Sequence, residues 1–279
     1  SKTIINFKPE IVIMGHADRI DSNMLSAMKN TNSNLKIAQW FLDPLTKKGP
    51  DYNKNKLRIL DKLDSVDGTF ITTDPHSLDF KIKNSFFIPN PCDESLDKLK
   101  NYNFDPDYDL FYAISHGVHR GTLRKGKMDE REIFISMLLK KSENINYDIY
   151  GMFKRQPVWG DEFIDKISQS KMGLNLSRGK PIKYYSSDRI AQLMGNGLLT
   201  FIDKKTHYSD FFRDDEMIFY NDINDLVDKI YKYKKDTKLL KRIAKKGHEK
   251  YHKYFNSNIV AKFIIDKTLG IKSKFYWEN

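Results

Sequence analysis

The sequence predicts an α/β protein with two Rossmann-like lobes and a helical C-terminus. Short runs of β-branched and aromatic residues alternate with amphipathic segments of about ten residues, which is typical of parallel sheets joined by right-handed crossover helices. This alternation stops in the proline-containing stretch 89–106 and then restarts, which indicates a linker between two lobes. With 39% apolar and 30% charged residues, the chain of 279 residues can bury a core, and wholesale disorder is excluded.

The first lobe is expected over residues 1–100. Residues Ile11 to Met14 predict a buried strand, and Asp21 or Ser22 is the expected N-cap of the helix that follows. The remaining elements of this lobe are predicted as strands over 35–42, 68–73 and 85–88 and a helix over 54–63. This pattern is half of a doubly wound domain, so the first lobe is predicted to be a partial one.

The second lobe is expected over 101–256, and a C-terminal helix and tail over 257–279. Its strands are predicted over 108–115, 147–150, 172–176, 198–202 and 217–220. The helices from this point onward are predicted over 129–141, 161–168, 187–195, 222–235, 237–254 and 258–269. Alternation of this kind again predicts a parallel sheet covered by helices on both faces.

Several protein classes are excluded by simple features of the sequence. Cys92 is the only cysteine, which rules out a disulfide framework or a cysteine-built zinc site and favours a reducing, cytoplasmic location. No apolar run is long enough to span a bilayer. The N-terminus has neither a signal peptide nor an initiator Met, so we expect a trimmed or internal fragment. The Asp105-Pro106-Asp107 sequence lies in the predicted linker and is stiffened by its proline, so it is not an Asp-x-Asp of the sort that binds a divalent ion, and no metal is expected.

The formal net charge of +11 suits an anionic partner such as a nucleotide, a nucleic acid or a phospholipid surface. Eleven Lys and Arg residues lie between Lys229 and Lys253, where the acidic residues are Asp236 and Glu249. Interleaved aromatic residues leave open a nucleic-acid surface or a peripheral contact with an anionic membrane. We favour a solvated helical face with extended lysines, and we expect no specific nucleic-acid partner.

Glycine and cationic residues follow three successive strands of the second lobe. The carboxyl ends of parallel strands lie at one edge of a sheet, where ligands of open α/β sheets bind. These three loops therefore predict an anion-binding rim, although a solvated basic loop is an alternative for the first of them. The candidate residues are His119, Arg120 and Arg124 in the first loop, Gly151 and Lys154 in the second, and Arg178 and Lys180 in the third.

The segment from Tyr184 to Phe201 predicts a polar loop, a short helix opened by Ser187 or Asp188, and a buried strand. A helix start beyond a strand end suits a phosphate or a sugar hydroxyl, which makes Asp188 and Arg189 candidate ligands. An ordinary capped helix is the alternative. In that case Asp188 would supply the negative charge that compensates Arg189.

Two residues at strand ends of the first lobe are candidates for a general base. His16 follows the strand over residues 11–14, and Asp43 follows the strand over 35–42. Either could remove a proton from an acceptor hydroxyl, and both are expected to face the second lobe. The alternatives are a turn residue for Asp43, which precedes Pro44, and a structural hydrogen bond for His16.

The order of motifs in the C-terminal half resembles the C-terminal domain of GT-B glycosyltransferases, and is most similar to the CgeB-like, "glycosyl transferases group 1" type. The resemblance covers 109–269 well and 8–91 loosely. It rests on Ser187 to Phe201, then Asp203, Phe211-Phe212, Tyr220, Leu226, Ile230 and Ile243-Ala244-Lys245-Lys246-Gly247-His248. It implies GT-B architecture and a metal-independent transferase that takes a nucleotide-activated sugar, such as a hexosyl donor, as substrate and needs no other cofactor.

The resemblance also implies roles for individual residues. Arg120 and Arg124, with Lys154 or Arg178, would hold the diphosphate of the donor. Arg189 matches the family's arginine at the helix start, while Gln192 stands where the family has a glutamate that holds the ribose.

Two acidic positions of the family motif are absent from this sequence. Gln192 replaces one glutamate, and Tyr184 occupies the position of the second glutamate of the retaining branch. Gln192 can still hydrogen bond to a diol, but it carries no charge. A non-catalytic nucleotide- or glycan-binding module of the same fold therefore remains an alternative. The acceptor, whether glycan, lipid-linked or protein, is not assigned.

Overall fold

A computed structural model describes residues 2–47, 49, 51–115 and 130–278 of the chain. The chain forms two compact units. The first unit contains Ser1–Asn90, Gly179–Tyr185 and Ser257–Asn279, and the second contains Pro91–Arg178 and Ser186–Asn256. Each unit has its own parallel sheet, which confirms the α/β fold class.

The first unit is built on a four-stranded sheet in which the strands lie in sequence order and neighbouring strands are parallel. Asp21 caps α2 by accepting a hydrogen bond from Met24 N at 2.8 Å, which confirms one of the two predicted N-caps. The strands are β1 (Ile11–Gly15), β2 (Lys36–Phe41), β3 (Gly68–Ile71) and β4 (Ser85–Phe87). The helices are α1 (Lys2–Phe7), which the sequence did not predict, α2 (Ser22–Thr31) and α3 (Tyr52–Leu60).

The second unit has a sheet with strand order β6-β5-β7-β8-β9, also parallel throughout the described pairs. Its strands are β5 (Tyr108–Ala113), β6 (Tyr147–Tyr150), β7 (Ser170–Asn175), β8 (Leu199–Asp203) and β9 (Ile218–Tyr220). The helices described from here to the C-terminus are α4 (Glu130–Lys141), α5 (Gly160–Ser168), α6 (Arg189–Gly195), α7 (Ile223–Lys235), α8 (Thr237–Tyr254) and α9 (Ser257–Leu269). Element types agree with the predicted ones, and boundaries differ by a few residues.

Helices cover both faces of the second sheet, because its strands carry buried side chains on both faces. On one face Leu110 and Met172 pack in a cluster with Leu226 of α7 and Leu240 of α8. On the other face Phe111 packs with residues of α5 and α6. Because both faces are apolar, polar groups of the sheet are concentrated at the ends of its strands.

The stretch predicted as a linker belongs to the second unit from Pro91 onward. Asn101 is buried, and its side-chain amide donates to the carbonyl oxygens of Ile167 and Ser170 at 2.8 and 2.9 Å. Cys92 N donates to the carbonyl oxygen of Phe255 at 3.1 Å. The prolines interrupt periodicity, but these long-range hydrogen bonds hold the segment against the unit.

The C-terminal helix groups with the first unit, so the compact units divide the chain differently from the predicted domains. Phe263 of α9 packs edge-on against Phe70 and Phe86 at ring-centroid distances of 5.9 and 6.1 Å. Trp277 in turn packs on Phe263 at 5.2 Å. The aromatic side chains of β3 and β4 therefore decide where this helix docks.

None of the described helices is long and apolar enough to cross a membrane.

Candidate functional site

The strand order of the second sheet reverses at β5, which has β6 on one side and β7 on the other. Such a reversal sends the two following connections to opposite faces and leaves a crevice beyond the carboxyl ends of the strands. Residues that follow β5, β6 and β7 are therefore the candidates for a ligand site. His119, Arg120 and Arg124, which the sequence names as candidates after β5, fall within residues 116–129 and lie outside the described residues.

The approach to α6 is held by serine side chains at the carboxyl end of β7. Ser187 N donates to Ser177 Oγ at 2.8 Å, and Ser187 Oγ donates to Asn175 Oδ1 at 2.9 Å. These two bonds fix the turn between strand and helix. Sequence reasoning missed Asn175 and Ser177, although polar residues directly after an apolar strand were the available signal.

Arg189, the first residue of α6, is buried rather than exposed at a surface. Its Nε donates to Ala113 O at 2.7 Å, and its Nη1 donates to Leu176 O at 3.2 Å and to Ser187 Oγ at 2.7 Å. The guanidinium carbon also lies 4.9 Å from the centre of the Tyr112 ring. The positive charge is thus compensated by carbonyl dipoles and an aromatic face, and Arg189 ties the ends of β5 and β7 to α6.

The other candidate residues of α6 differ in exposure. Asp188 is exposed, and its side chain makes no capping hydrogen bond to the described residues at the helix start, which gives no support to the alternative in which Asp188 compensates Arg189 locally. Gln192 is half-buried, one turn further along. Its role toward a ribose stays a prediction.

Asn175 leaves one polar group without a partner. Its side-chain Nδ2 is buried at the end of β7 and has no hydrogen-bond acceptor among the residues that the structure describes. An unmet buried amide costs about 1–3 kcal/mol, so such a group is usually explained by water or by a ligand. It lies beside the bond between Ser187 Oγ and Asn175 Oδ1, within the candidate crevice.

The loop after β6 is strained and cationic. Gly151, Phe153 and Lys154 have φ angles of 79°, 53° and 65°, in the left-handed region that disfavours residues other than glycine. Lys154 is exposed. Non-glycine residues in this region cost free energy and are concentrated at ligand-binding sites, which agrees with the prediction for Gly151 and Lys154 without testing it.

Arg155 anchors the same loop. Its Nη2 lies 3.3 Å from Oδ1 of the fully buried Asp148, and its guanidinium carbon lies 4.1 Å from the centre of the Tyr150 ring. Burial, together with the neighbouring Asp148, raises the pKa of Tyr150 to about 12. The Tyr150 side chain at the end of β6 is therefore a neutral phenol at physiological pH.

The candidates after β7 are divided between the two units. Arg178 ends the second unit's segment, whereas Lys180 and Tyr184 belong to the first unit. Lys180 O accepts a hydrogen bond from Thr46 Oγ1 at 3.2 Å. Tyr184 has a φ of 63° and its ring lies 4.9 Å from that of Phe87.

The general-base candidates form one cluster in the first unit. The His16 ring stacks on Phe41 at 4.6 Å with an interplanar angle of 5°, and its Nδ1 lies 3.8 Å from Asp43 Oδ2. Arg58 Nη1 lies 3.7 Å from the same carboxylate oxygen, while its Nη2 pairs with Asp18. The structure therefore brings together His16 and Asp43, which the sequence named separately. Arg58 and Asp18 are additions that only the tertiary fold reveals.

Ion pairs occupy much of the basic stretch on α7 and α8. This favours the interpretation of a solvated, internally paired surface. The paired residues include Lys229 with Asp225, Lys234 with Asp109, Lys241 with Asp105, Lys246 with Asp215 and Lys250 with Glu216, at 2.6 to 2.8 Å.

Within the described ranges, no three His, Cys, Asp or Glu side chains are grouped so that they could hold a metal ion.

Known structures with a similar fold are glycosyltransferases and related proteins. TarM superposes with a TM-score of 0.62 and 14% sequence identity over 92% of this chain and 54% of its own. A glycosyltransferase from Rickettsia africae superposes with a TM-score of 0.62 and 11% sequence identity over 97% of this chain and 79% of its own. Anabaena HepE in complex with UDP-glucose superposes with a TM-score of 0.60 and 9% sequence identity over 95% of this chain and 80% of its own. The fold defines the chain as a GT-B protein, and the chain spans about half the length of TarM.

The family follows from the sequence of the C-terminal half of the chain. The model of the family described as "Glycosyl transferase-like" matches residues 124–266, which is about half of the chain. The chain belongs to this glycosyl transferase-like family. A comparison with curated protein sequences gave no match.

Proposed function

We propose that the chain is a glycosyltransferase that takes a sugar from a nucleotide-activated donor and transfers it to an acceptor without a metal ion. The observation that carries this proposal is the arrangement at the carboxyl ends of β5, β6 and β7, where Arg189 and Ser187 fix the start of α6 and Asn175 presents a buried amide. We infer the chemistry at this site, the transfer of a glycosyl group, from membership of the glycosyl transferase-like family.

The proposed donor site uses the second unit. Lys154, Arg178, Arg120 and Arg124 neutralise the diphosphate, whose negative charge grows as the sugar leaves. The nucleoside lies near Tyr150 and Gln192. Support comes from Anabaena HepE, a protein of similar fold whose structures hold UDP or UDP-glucose. Asn175 adds a hydrogen-bond donor suited to an oxygen of the donor molecule.

The proposed general base is His16 in the first unit. Asp43 lies on the Nδ1 side of the ring, at 3.8 Å, so it favours a tautomer with hydrogen on Nδ1 and leaves Nε2 to accept the proton of an acceptor hydroxyl. The carboxylate then stabilises the imidazolium that forms. Arg58 and the stacked Phe41 hold the pair in place.

A peripheral contact with an anionic membrane on the cytoplasmic side is a separate part of the proposal. It rests on the exposed cations of α7 and α8 that form no ion pair with the described residues, among them Lys235, Lys238 and Arg242. Sedimentation with vesicles that contain or lack an anionic phospholipid tests it. Binding that depends on the anionic lipid and disappears at high salt is the expected result.

The donor proposal is tested by calorimetric titration with UDP, GDP, ADP and CDP, followed by hydrolysis assays with the matching nucleotide sugars. We expect one nucleoside diphosphate to bind, also in the presence of EDTA, and Lys154→Ala to weaken it. Lys238→Ala, another exposed lysine of the same unit, is the matched control. No binding of any nucleotide would contradict the proposal, and binding without hydrolysis or transfer would favour a non-catalytic module.

A further inference from the structure

A small cavity opens beside the proposed base in the first unit. Its lining comes from the ends of β1 and β2 and from the C-terminal end of α3. The charged or titratable residues of the lining are His16, Asp18, Arg58 and Lys62. The proposed transfer of a proton to His16 gives no role to Lys62.

Lys62 is a buried cation without a counter-ion in this part of the fold. Only 7% of the residue is exposed. Its Nζ donates to the carbonyl oxygen of Arg58 at 3.3 Å, and no carboxylate of the described residues lies within ion-pair distance of it. An ammonium group has three donors, and burying it without an opposite charge costs several kcal/mol.

The carboxylates beside this cavity contact Arg58 rather than Lys62. Arg58 is placed between two of them, with Nη2 on Asp18 and Nη1 3.7 Å from Asp43. The charges of Arg58, Lys62, Asp18 and Asp43 sum to zero, but among the described residues Lys62 has no carboxylate in direct contact. Asp18 is the carboxylate that lines the cavity, and its negative charge is neutralised by the ion pair with Arg58.

We propose that this cavity binds an anionic group of the acceptor, a carboxylate or a phosphate, with Lys62 and Arg58 as its ligands. The inference rests on the proposed function and adds the substrate class: an acidic sugar or a phosphate-bearing acceptor. The anion gives Lys62 a charged partner in direct contact and holds the acceptor beside His16. Lys62 and Arg58 are thus specificity determinants, separate from the residues proposed for the donor.

The test uses the indole signals of the full chain, which has three tryptophans. Trp40 lines the cavity, and its ¹H–¹⁵N indole signal can be assigned with Trp40→Phe. Titration with inorganic phosphate and with glucuronate should shift this signal saturably, and titration with glucose should not. Absence of a shift with both anions overturns the proposal without any further variant.

Variants of two lysines sharpen the result. Lys62→Met removes the charge but fills the same volume, and should raise the dissociation constant of the responsive anion roughly tenfold or more, as expected for a lost charge-assisted hydrogen bond. Lys56→Met is the control, because Lys56 lies on α3 over the Phe80 ring at 4.8 Å and does not line the cavity. An unchanged affinity in Lys62→Met overturns the proposal.

A thermal measurement covers the case in which Lys62→Met alters the fold. In phosphate-free buffer we expect its melting temperature to equal or exceed that of the original protein, because a buried unpaired charge has been removed. Phosphate should raise the melting temperature of the original protein and of Lys56→Met, but not that of Lys62→Met. A clear loss of stability in Lys62→Met without phosphate would mean that the charge is already compensated, which contradicts the proposal.

The proposal and the proposed function can fail separately. If a nucleotide sugar is bound and hydrolysed while Trp40 responds to neither anion, the acceptor class is wrong and the donor chemistry stands. If Trp40 responds but no nucleotide binds, the cavity is an anion site without the proposed transferase. In transfer assays, Lys62→Met should raise KM for carboxylate- or phosphate-bearing acceptors, whereas Lys56→Met should not.

Discussion

Arg189 Nε donates a hydrogen bond to the carbonyl oxygen of Ala113 at 2.7 Å, across 76 positions of the sequence. The bond joins the first residue of α6 to the last residue of β5. A second bond from the same guanidinium reaches Leu176 O just beyond β7. One side chain therefore sets the position of the helix relative to both strand ends that form the candidate crevice.

Arg189→Ala should reduce the free energy of unfolding by roughly 2–4 kcal/mol, because it removes hydrogen bonds to a charged group and leaves buried carbonyl groups unmet. Urea denaturation measures the change. Arg213→Ala is the control, since the side chain of Arg213 is 72% exposed in its pairs with Asp215 and Glu216 and should contribute about 1 kcal/mol or less. An unchanged midpoint for Arg189→Ala would show that the carbonyl contacts contribute little. A lower UDP affinity of the folded variant would additionally support a donor contact.

Gly247→Ala should be more destabilising than helix propensity suggests. A Cβ at Gly247 of α8 would collide with the oxygen of Glu216, which is a backbone atom and cannot move away by side-chain rotation. We expect a loss of about 2–4 kcal/mol despite the gain of about 1 kcal/mol from replacing a helical glycine. Gly270→Ala is the comparison, since its φ is 72° but nothing lies within 4 Å of the new Cβ. Equal effects of the two variants in thermal denaturation would rule out the close approach as the cause.

His248 should make the second unit less stable in acid. Burial, reinforced by the neighbouring His252, lowers the pKa of His248 from 6.5 to about 4. Below pH 6.5 the unfolded chain therefore binds a proton at His248 that the folded chain does not bind until the pH is near 4. The free energy of unfolding is highest above pH 6.5 with respect to this group and decreases as the pH falls toward 4, by up to about 3 kcal/mol.

The measurement is urea denaturation between pH 7 and pH 4 for the original protein and for His248→Gln, which cannot titrate. The slope of stability against pH should flatten in the variant. His76→Gln, at an exposed histidine of the first unit, should keep the original slope. If His248→Gln and the original protein have the same slope, His248 is not the titrating group.

His16→Ala should lower the rate of sugar transfer by roughly 10²–10⁴-fold, the range for loss of a general base. The affinity for the nucleotide should not change, because the proposed donor ligands lie in the second unit. Asp43→Asn should give a smaller loss, since its carboxylate lies 3.8 Å from the ring and stabilises the imidazolium formed in the reaction. Full transfer activity in His16→Ala would remove His16 from the proposed mechanism.

The pattern of strands and helices could be predicted from the sequence because it depends on local periodicity. The helix over 237–254 was predicted with the bounds that the structure has, and the cap at Asp21 was named correctly. The glycine and cationic residues after β6 and β7 could also be identified, because strand ends are visible in the sequence. The GT-B fold and the glycosyl transferase-like family are confirmed.

What the sequence by itself determined, therefore, is the α/β class, the order of its elements and the residues that follow each strand, since all of these arise from neighbours a few positions apart. The tertiary structure alone decided that Arg189 is bonded to Ala113, that α9 packs with Phe70 and Phe86 in the first unit, and that Lys62 is buried with no carboxylate of the described residues in contact. Each of these depends on which distant groups share a desolvated space. The local sequence pattern does not predict that environment, because burial and charge compensation are properties of the packed chain.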